Sequence, residues 1–194
     1  MASDATSSGF LPSHGGYETL LSYQKARMVF DGTVWFTRRW LPPLGDRTVD
    51  QMVQAARSGK QNIVEGSVAS GTSKEMEIKL TNVALAGLRE LEEDYEDFLR
   101  VRRLPVWGPD HPRRRWLSAL NRTPGADYGT FREFIEGEDA ETAANVLLGL
   151  VAVTCYLLQR QVRAQEQSFI QEGASERGCP RSGGTRGTGG TEGT

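Results

Sequence analysis

Six arginines crowd the stretch from Arg100 to Trp116: Arg100, Arg102 and Arg103, then Arg113, Arg114 and Arg115. One acid, Asp110, stands among them, so the stretch carries a local charge of +5, and Trp107 and Trp116 interleave with the cations. Guanidinium beside indole suits a phosphate backbone with exposed bases, the first through charge and the second through stacking. The plainer reading is a solvated basic end, neutralised by the acidic helix before it or by a neighbouring subunit. Both readings stay open at this point.

Other residue types that could do chemistry fail on spacing. Gly59-Lys60 has the look of a phosphate loop, but it lacks the leading glycine and has Gln61 where a magnesium-binding hydroxyl belongs. An inward-facing di-iron site in a helical bundle needs Glu-x-x-His pairs. The only histidines are His14 and His111, and the residue three before His111 is Gly108. No metal, cofactor or catalytic residue is therefore assigned, and the chain reads as non-enzymatic. Asn62 and Glu65 lie beside an apolar stripe and precede Gly66. A carboxylate without a partner base makes a poor site, so the three read as a structural motif whose polar members bond a facing helix or its terminus and set register.

The elements that would position these residues are helical. A first helix is expected from Tyr17 to about Trp40, with Leu20, Leu21, Ala26, Val29, Phe30, Val34 and Phe36 at mostly helical spacing. Pro42-Pro43 stops it. A second runs from about Thr48 to Val68, where Val49, Met52, Ala56, Gly59 and Ile63 form one stripe. The small Ala56 and Gly59 on that stripe predict close approach of a neighbour. Thr72-Ser73-Lys74-Glu75 fits a capping box opening a third helix. That helix reaches about Arg103 with Leu80, Ala84, Leu88, Leu91, Tyr95 and Phe98 on its stripe, and Glu90, Glu92, Glu93, Asp94, Glu96 and Asp97 on its outer face. An irregular insert over about 104–137 holds one short helix near Arg114–Leu120. The last helix starts near Glu138 and ends about Gln171. Residues 1–16 read as a Ser/Gly-rich leader and 173–194 as a Gly-rich tail, both without fixed structure. Short links after the first two helices predict an all-α, antiparallel up-down-up-down four-helix bundle over 17–172.

Composition sets the outer bounds. With 194 residues, 38% hydrophobic and 25% charged, the chain suits one soluble domain, and a formal charge of −2 announces no global affinity for nucleic acid. The N-terminus has no basic and apolar segment of the secretory kind, and Cys155 and Cys179 lie in unlike surroundings, so a reducing, cytoplasmic setting is expected. The sequon at Asn121 accordingly reads as chance. Thr142 to Gln159 contains no charged residue, yet Asn145, Thr154 and its small residues make it a buried helix rather than a membrane span. Val146, Leu147, Leu150, Val151, Val153, Leu157 and Leu158 cannot share one seam. Covering such a helix predicts self-association.

The segments Gln54-Ala55-Ala56, Asn62-Ile63-Val64-Glu65-Gly66, Ser70 to Ser73 and Leu88-Arg89-Glu90-Leu91-Glu92 occur in that order. They resemble the signature of the four-helix bundle proteins of 23S rRNA intervening sequences, in which Asn-Ile-x-Glu-Gly marks a turn. The closing CYLLQRQVRAQEQSFIQEGASERG resembles the family's Tyr-Leu-Leu-x-Arg-Gln stretch, and the further FIQEG resembles the subgroup with a C-terminal suffix. The likeness covers about residues 17–178. It implies a protomer that assembles into a ring, commonly a pentamer, without enzymatic activity. It also implies kinship with the accessory variability protein of diversity-generating retroelements, a basic ring that binds nucleic acid. This chain departs from that relative in its net acidity and in its Trp- and Pro-containing insert. The expectation is a ring-forming scaffold with RNA or DNA as a partner through the arginine-rich end. The alternative is an adaptor that binds an unknown protein partner and no nucleic acid.

Overall fold

Proline and glycine punctuation divides the chain into four long helices, α1 (Leu21–Trp40), α2 (Arg47–Ala69), α3 (Lys74–Val101) and α6 (Ala140–Arg177). Two short ones, α4 (Pro112–Leu120) and α5 (Tyr128–Arg132), lie between α3 and α6. A single 3₁₀ turn (Gly16–Thr19) precedes α1, and one π-helical turn (Glu133–Gly137) follows α5. The computed structural model describes residues 16–41 and 47–177, and among these there is no strand: the protein is all-α. The expected leader, apart from Gly16, and the tail beyond Arg177 lie outside the described residues.

The ends of the helices have local causes. The first helix begins at Leu21 rather than Tyr17, because Leu20 is extended and Thr19 donates its hydroxyl to the Gly16 carbonyl (2.7 Å), closing a separate turn. It stops where Leu41 takes the extended backbone demanded by the following proline. The cap of α3 is Ser73, whose hydroxyl accepts the Met76 N–H at 3.2 Å. The capping box expected on Thr72 is not the one used, since the Thr72 hydroxyl donates backward to the Ala69 carbonyl. A capping box does form where none was expected, between Asp127 and Thr130 at the start of α5. The last helix extends to Arg177, past the expected end at Gln171.

The long helices contact one another in a closed circuit: α1 on α2, α2 on α3, α3 on α6 and α6 on α1. Ile63, Met52 and Ala56 from α2 meet Ala84, Leu88, Leu91 and Tyr95 from α3 in the core, with Phe36 from α1 edge-on to both Tyr95 and Phe98. The small residues of α2 do what their type predicts. A Cβ placed on Gly59 would fall 2.8 Å from Leu88 Cγ, and one on Gly66 would meet Leu80 Cβ at 3.4 Å. Side-chain bonds pair helix ends as well: Ser22 with Gln161 (2.9 Å), Gln165 with Glu77 (2.8 Å) and Lys74 with both Ser168 and Glu172.

The apolar last helix finds much of its cover inside the protomer. Its stretch Ala140–Glu172 is long and apolar enough to cross a membrane, yet 67% of the most apolar window is buried against the rest of the molecule. Val146, Leu147, Leu150, Val151 and Leu158 are buried, and Val153 and Leu157 half-buried. The insert supplies the second layer. Leu117 of α4 packs so tightly on Gly149 that a Cβ there would sit 2.5 Å from Leu117 Cδ2. Asn145 binds the insert to α6, accepting the Trp107 N–H (2.8 Å) and donating to the Pro105 carbonyl (3.0 Å).

Candidate functional site

The six arginines of the sequence motif do not form one free cationic cluster. Arg100 pairs with Asp97 (2.8 Å), Arg113 with Glu138 (3.2 Å) and Arg115 with Asp110 (2.7 Å), all near the surface. Arg114 donates to the Trp107 carbonyl at 2.8 Å and Arg113 also to the Thr142 hydroxyl at 2.7 Å. The Arg113–Thr142 bond ties α4 to α6, and the Arg114–Trp107 bond ties α4 to the segment before it. Trp107 is no stacking platform, being 4% exposed, stacked on His111 and bonded through its indole N–H to Glu141 (3.0 Å). Trp116 is more open and lies edge-on to Phe134.

A smaller cationic group does assemble, from residues that the sequence motif only half contains. Arg38 and Arg39 end α1, and Arg102 and Arg103 follow α3. Arg102 joins the two ends by donating to the Trp40 carbonyl at 2.6 Å, with its guanidinium 4.3 Å from the Phe98 ring centre. Arg39 stands 4.5 Å from the centre of the Trp40 ring. All four arginines are exposed, and among the described residues the side chains of Arg38 and Arg103 make no hydrogen bond or ion pair. Part of this placement is local physics, because cations complement the negative C-terminal ends of helices.

Arg103 has a further peculiarity. Its φ of 57° is left-handed, and among the described residues it is the only non-glycine with positive φ. The Leu104 N–H reaches back to the Leu99 carbonyl (2.8 Å), which makes this the C-terminal cap that ordinarily takes glycine. An L side chain there costs roughly 1 kcal/mol or more.

The structural motif of α2 is placed differently from the reading of its sequence. Asn62 donates to the Ser58 carbonyl (2.8 Å) and hydroxyl (3.1 Å) of its own helix, and Glu65 points to solvent. Neither reaches a facing helix, and the segment is helical rather than a turn. Gly66 alone has the packing role, against Leu80 and Thr81.

A second region was not read from the sequence. A groove of about 1080 Å³ runs between α1, the α4–α5 connection and α6. Lys25, only 6% exposed, lies in its wall with Nζ 3.2 Å from the Asn121 amide oxygen and 5.6 Å from the centre of the Phe131 ring. No carboxylate stands within ion-pair distance of it among the described residues. Burial pulls its pKa below the ordinary lysine value. The signal was present in the spacing, since Lys25 falls four residues after Leu21 and four before Val29, on the apolar stripe. Nearby, Tyr128 donates to Glu136 (2.8 Å), and burial first, then that bond, pushes its hydroxyl above the usual range.

Among the described residues no group of three His, Cys, Asp or Glu side chains gathers as metal ligands. Cys155 is buried, and burial together with Glu92 pushes its thiol up to about 11, against the opposing pull of Arg89. What the fold defines is thus an all-helical protein with a cationic end and a lateral groove. No family model matches the chain, and neither a curated protein nor a solved structure does.

Proposed function

We propose that this protein is a non-enzymatic, antiparallel up-down-up-down four-helix bundle. In this reading it acts as a scaffold and binds single-stranded nucleic acid through its cationic end. The closed circuit of α1, α2, α3 and α6 supports the topology, as do the bonds that pair the start of α1 and of α3 with the end of α6. Several copies, five being the number that the resemblance to intervening-sequence proteins implies, would repeat the cationic end around a ring. Repetition raises avidity for a polyanion without any new kind of contact. A buried, unpaired Cys155 suits the reducing cytoplasm this reading assigns.

The observation that carries the nucleic-acid reading is Arg103. A cation occupies a left-handed backbone position where glycine is the less strained choice, next to Arg102, which bonds the end of α1 that carries the exposed Arg38 and Arg39. Strain retained at one residue points to a role for its side chain. The test is electrophoretic mobility shift with single-stranded RNA and DNA across a salt series. Affinity should fall steeply with salt, and replacing Arg38, Arg39, Arg102 and Arg103 by Ala should remove it, while Arg113→Ala and Arg115→Ala should change it little. An absence of binding at low salt defeats this reading, and a scattering mass near the chain's 21.4 kDa defeats the ring.

The runner-up, a protein adaptor, draws on a different surface. Val68, Met76, Phe169 and Ile170 are exposed near the end where α2 finishes, α3 begins and α6 finishes. It predicts no salt-sensitive affinity for nucleic acid.

A further inference from the structure

We propose that the groove between α1, the α4–α5 connection and α6 is a binding site for a monocarboxylic acid with an apolar body, its carboxylate seated on Lys25. Volume and shape come first. At about 1080 Å³ the groove is slightly larger than the range for small-molecule sites, roughly 300 to 1,000 Å³. Leu21, Met28, Val153 and Leu157 provide an apolar wall for a chain or ring.

Charge then selects the head group. A lysine ammonium carries three N–H donors, and here the one hydrogen-bond acceptor supplied is the Asn121 amide oxygen. The Phe131 ring centre lies 5.6 Å from Nζ. A cation buried against apolar side chains without an opposing charge is costly, and a ligand carboxylate would supply both the missing charge and the missing acceptors. Other charged groups line the groove: Glu18, Asp31 and Asp127 against Arg27 and Arg122. The Asp127 carboxylate is already occupied in capping the Thr130 N–H at 3.1 Å. None of the acids makes an ion pair with Lys25, so Lys25 is the buried charge left for a ligand to meet.

The experiment is calorimetric titration of the full chain with decanoate, alongside decanol and decyltrimethylammonium below their aggregation limits. Expected are saturable binding of decanoate, at least tenfold weaker binding of decanol, and none of the ammonium compound. Lys25→Met, which keeps an unbranched apolar stem one atom shorter and removes the charge, should fold normally by circular dichroism and lose decanoate affinity tenfold or more. Leu21→Glu, at an exposed position on the groove, should weaken decanoate several-fold with the fold intact. Equal decanoate affinity in wild type and Lys25→Met overturns the proposal, as does equal binding of decanoate and decanol. It also fails if decanoate does not bind and Leu21→Glu instead breaks up an oligomer, which would make the groove a contact between copies. The site stands apart from the cationic end. Decanoate binding that survives the fourfold arginine-to-alanine change separates the fate of this proposal from that of the nucleic-acid reading.

Discussion

Lys25 and Cys155 show how burial acts oppositely on a base and on an acid. Burial disfavours the charged form of each, so the lysine pKa falls and the thiol pKa rises to about 11. Folded Lys25 releases its proton at lower pH than unfolded Lys25, whose ordinary value is 10.5. Between the two values the unfolded chain holds more protons, so this residue makes stability rise with pH. Cys155 works the other way, since its folded pKa lies above the unfolded value and stability is lost as pH climbs from 9.0 toward 11. The two can be separated because Lys25→Met leaves the thiol untouched. The variant should be more stable than wild type in neutral solution, and the gap should close as pH rises toward 10.5, as read from urea midpoints at several pH values. A gap that widens with pH would contradict the burial of an uncompensated ammonium. Tyr95 is a buried polar group that is satisfied: Thr33 donates to the Val29 carbonyl, which leaves the tyrosine hydroxyl to donate to Thr33 at 2.9 Å.

At the scale of single helices, close approach competes with intrinsic propensity. Alanine favours an exposed helix interior over glycine by about 1 kcal/mol. At Gly59 the added methyl would meet the branch point of Leu88 rather than a side-chain tip, so α2 and α3 must part to accept it. Overpacking of this kind costs typically about 1 to 3 kcal/mol. Gly59→Ala should therefore lower the denaturation free energy by about 1 kcal/mol, whereas Gly137→Ala, whose nearest neighbour would be Glu133 Cγ at 3.8 Å, escapes the clash. The end of α3 sets a similar conflict between backbone and side chain. Arg103→Gly should raise stability by about 1 kcal/mol through relief of its left-handed strain, at the expense of nucleic-acid affinity.

Across the whole molecule, the insert and the last helix depend on each other. Asn145 holds the insert through the Trp107 N–H and the Pro105 carbonyl, and Leu117 fills the space over Gly149. Asn145→Ala would leave the buried Trp107 N–H without its acceptor, a loss of about 1 to 3 kcal/mol. The damage should concentrate in 104–137: amide exchange there should quicken while the α2–α3 pairing stays protected. Uniform loss of protection would show that the insert and the long helices unfold as one unit.

Local order carries far along the chain and then stops. Heptad-like apolar spacing, the double proline after Leu41 and the Ser/Gly link before α3 decide where helices run, because each acts over a few residues and needs no distant partner. For the same reason the stripe Met52, Ala56, Gly59, Ile63 was legible in advance, and so was its close packing. Which hydroxyl caps α3 was less so, since Thr72 and Ser73 are chemically alike and only the path of the turn chooses between them. The arginine motif misled in one respect: adjacency in sequence suggested a single patch, but contacts with Asp97, Asp110, Glu138 and Trp107 disperse it. Arg102 reaches the Trp40 carbonyl, next to Arg38 and Arg39 in sequence, only because two helices distant in sequence end at the same end of the molecule. Sequence by itself thus determined the helices and their apolar faces. Tertiary structure alone decided what covers each face, which charges are spent internally and where Lys25 is buried, because burial and pairing are properties of groups far apart along the chain.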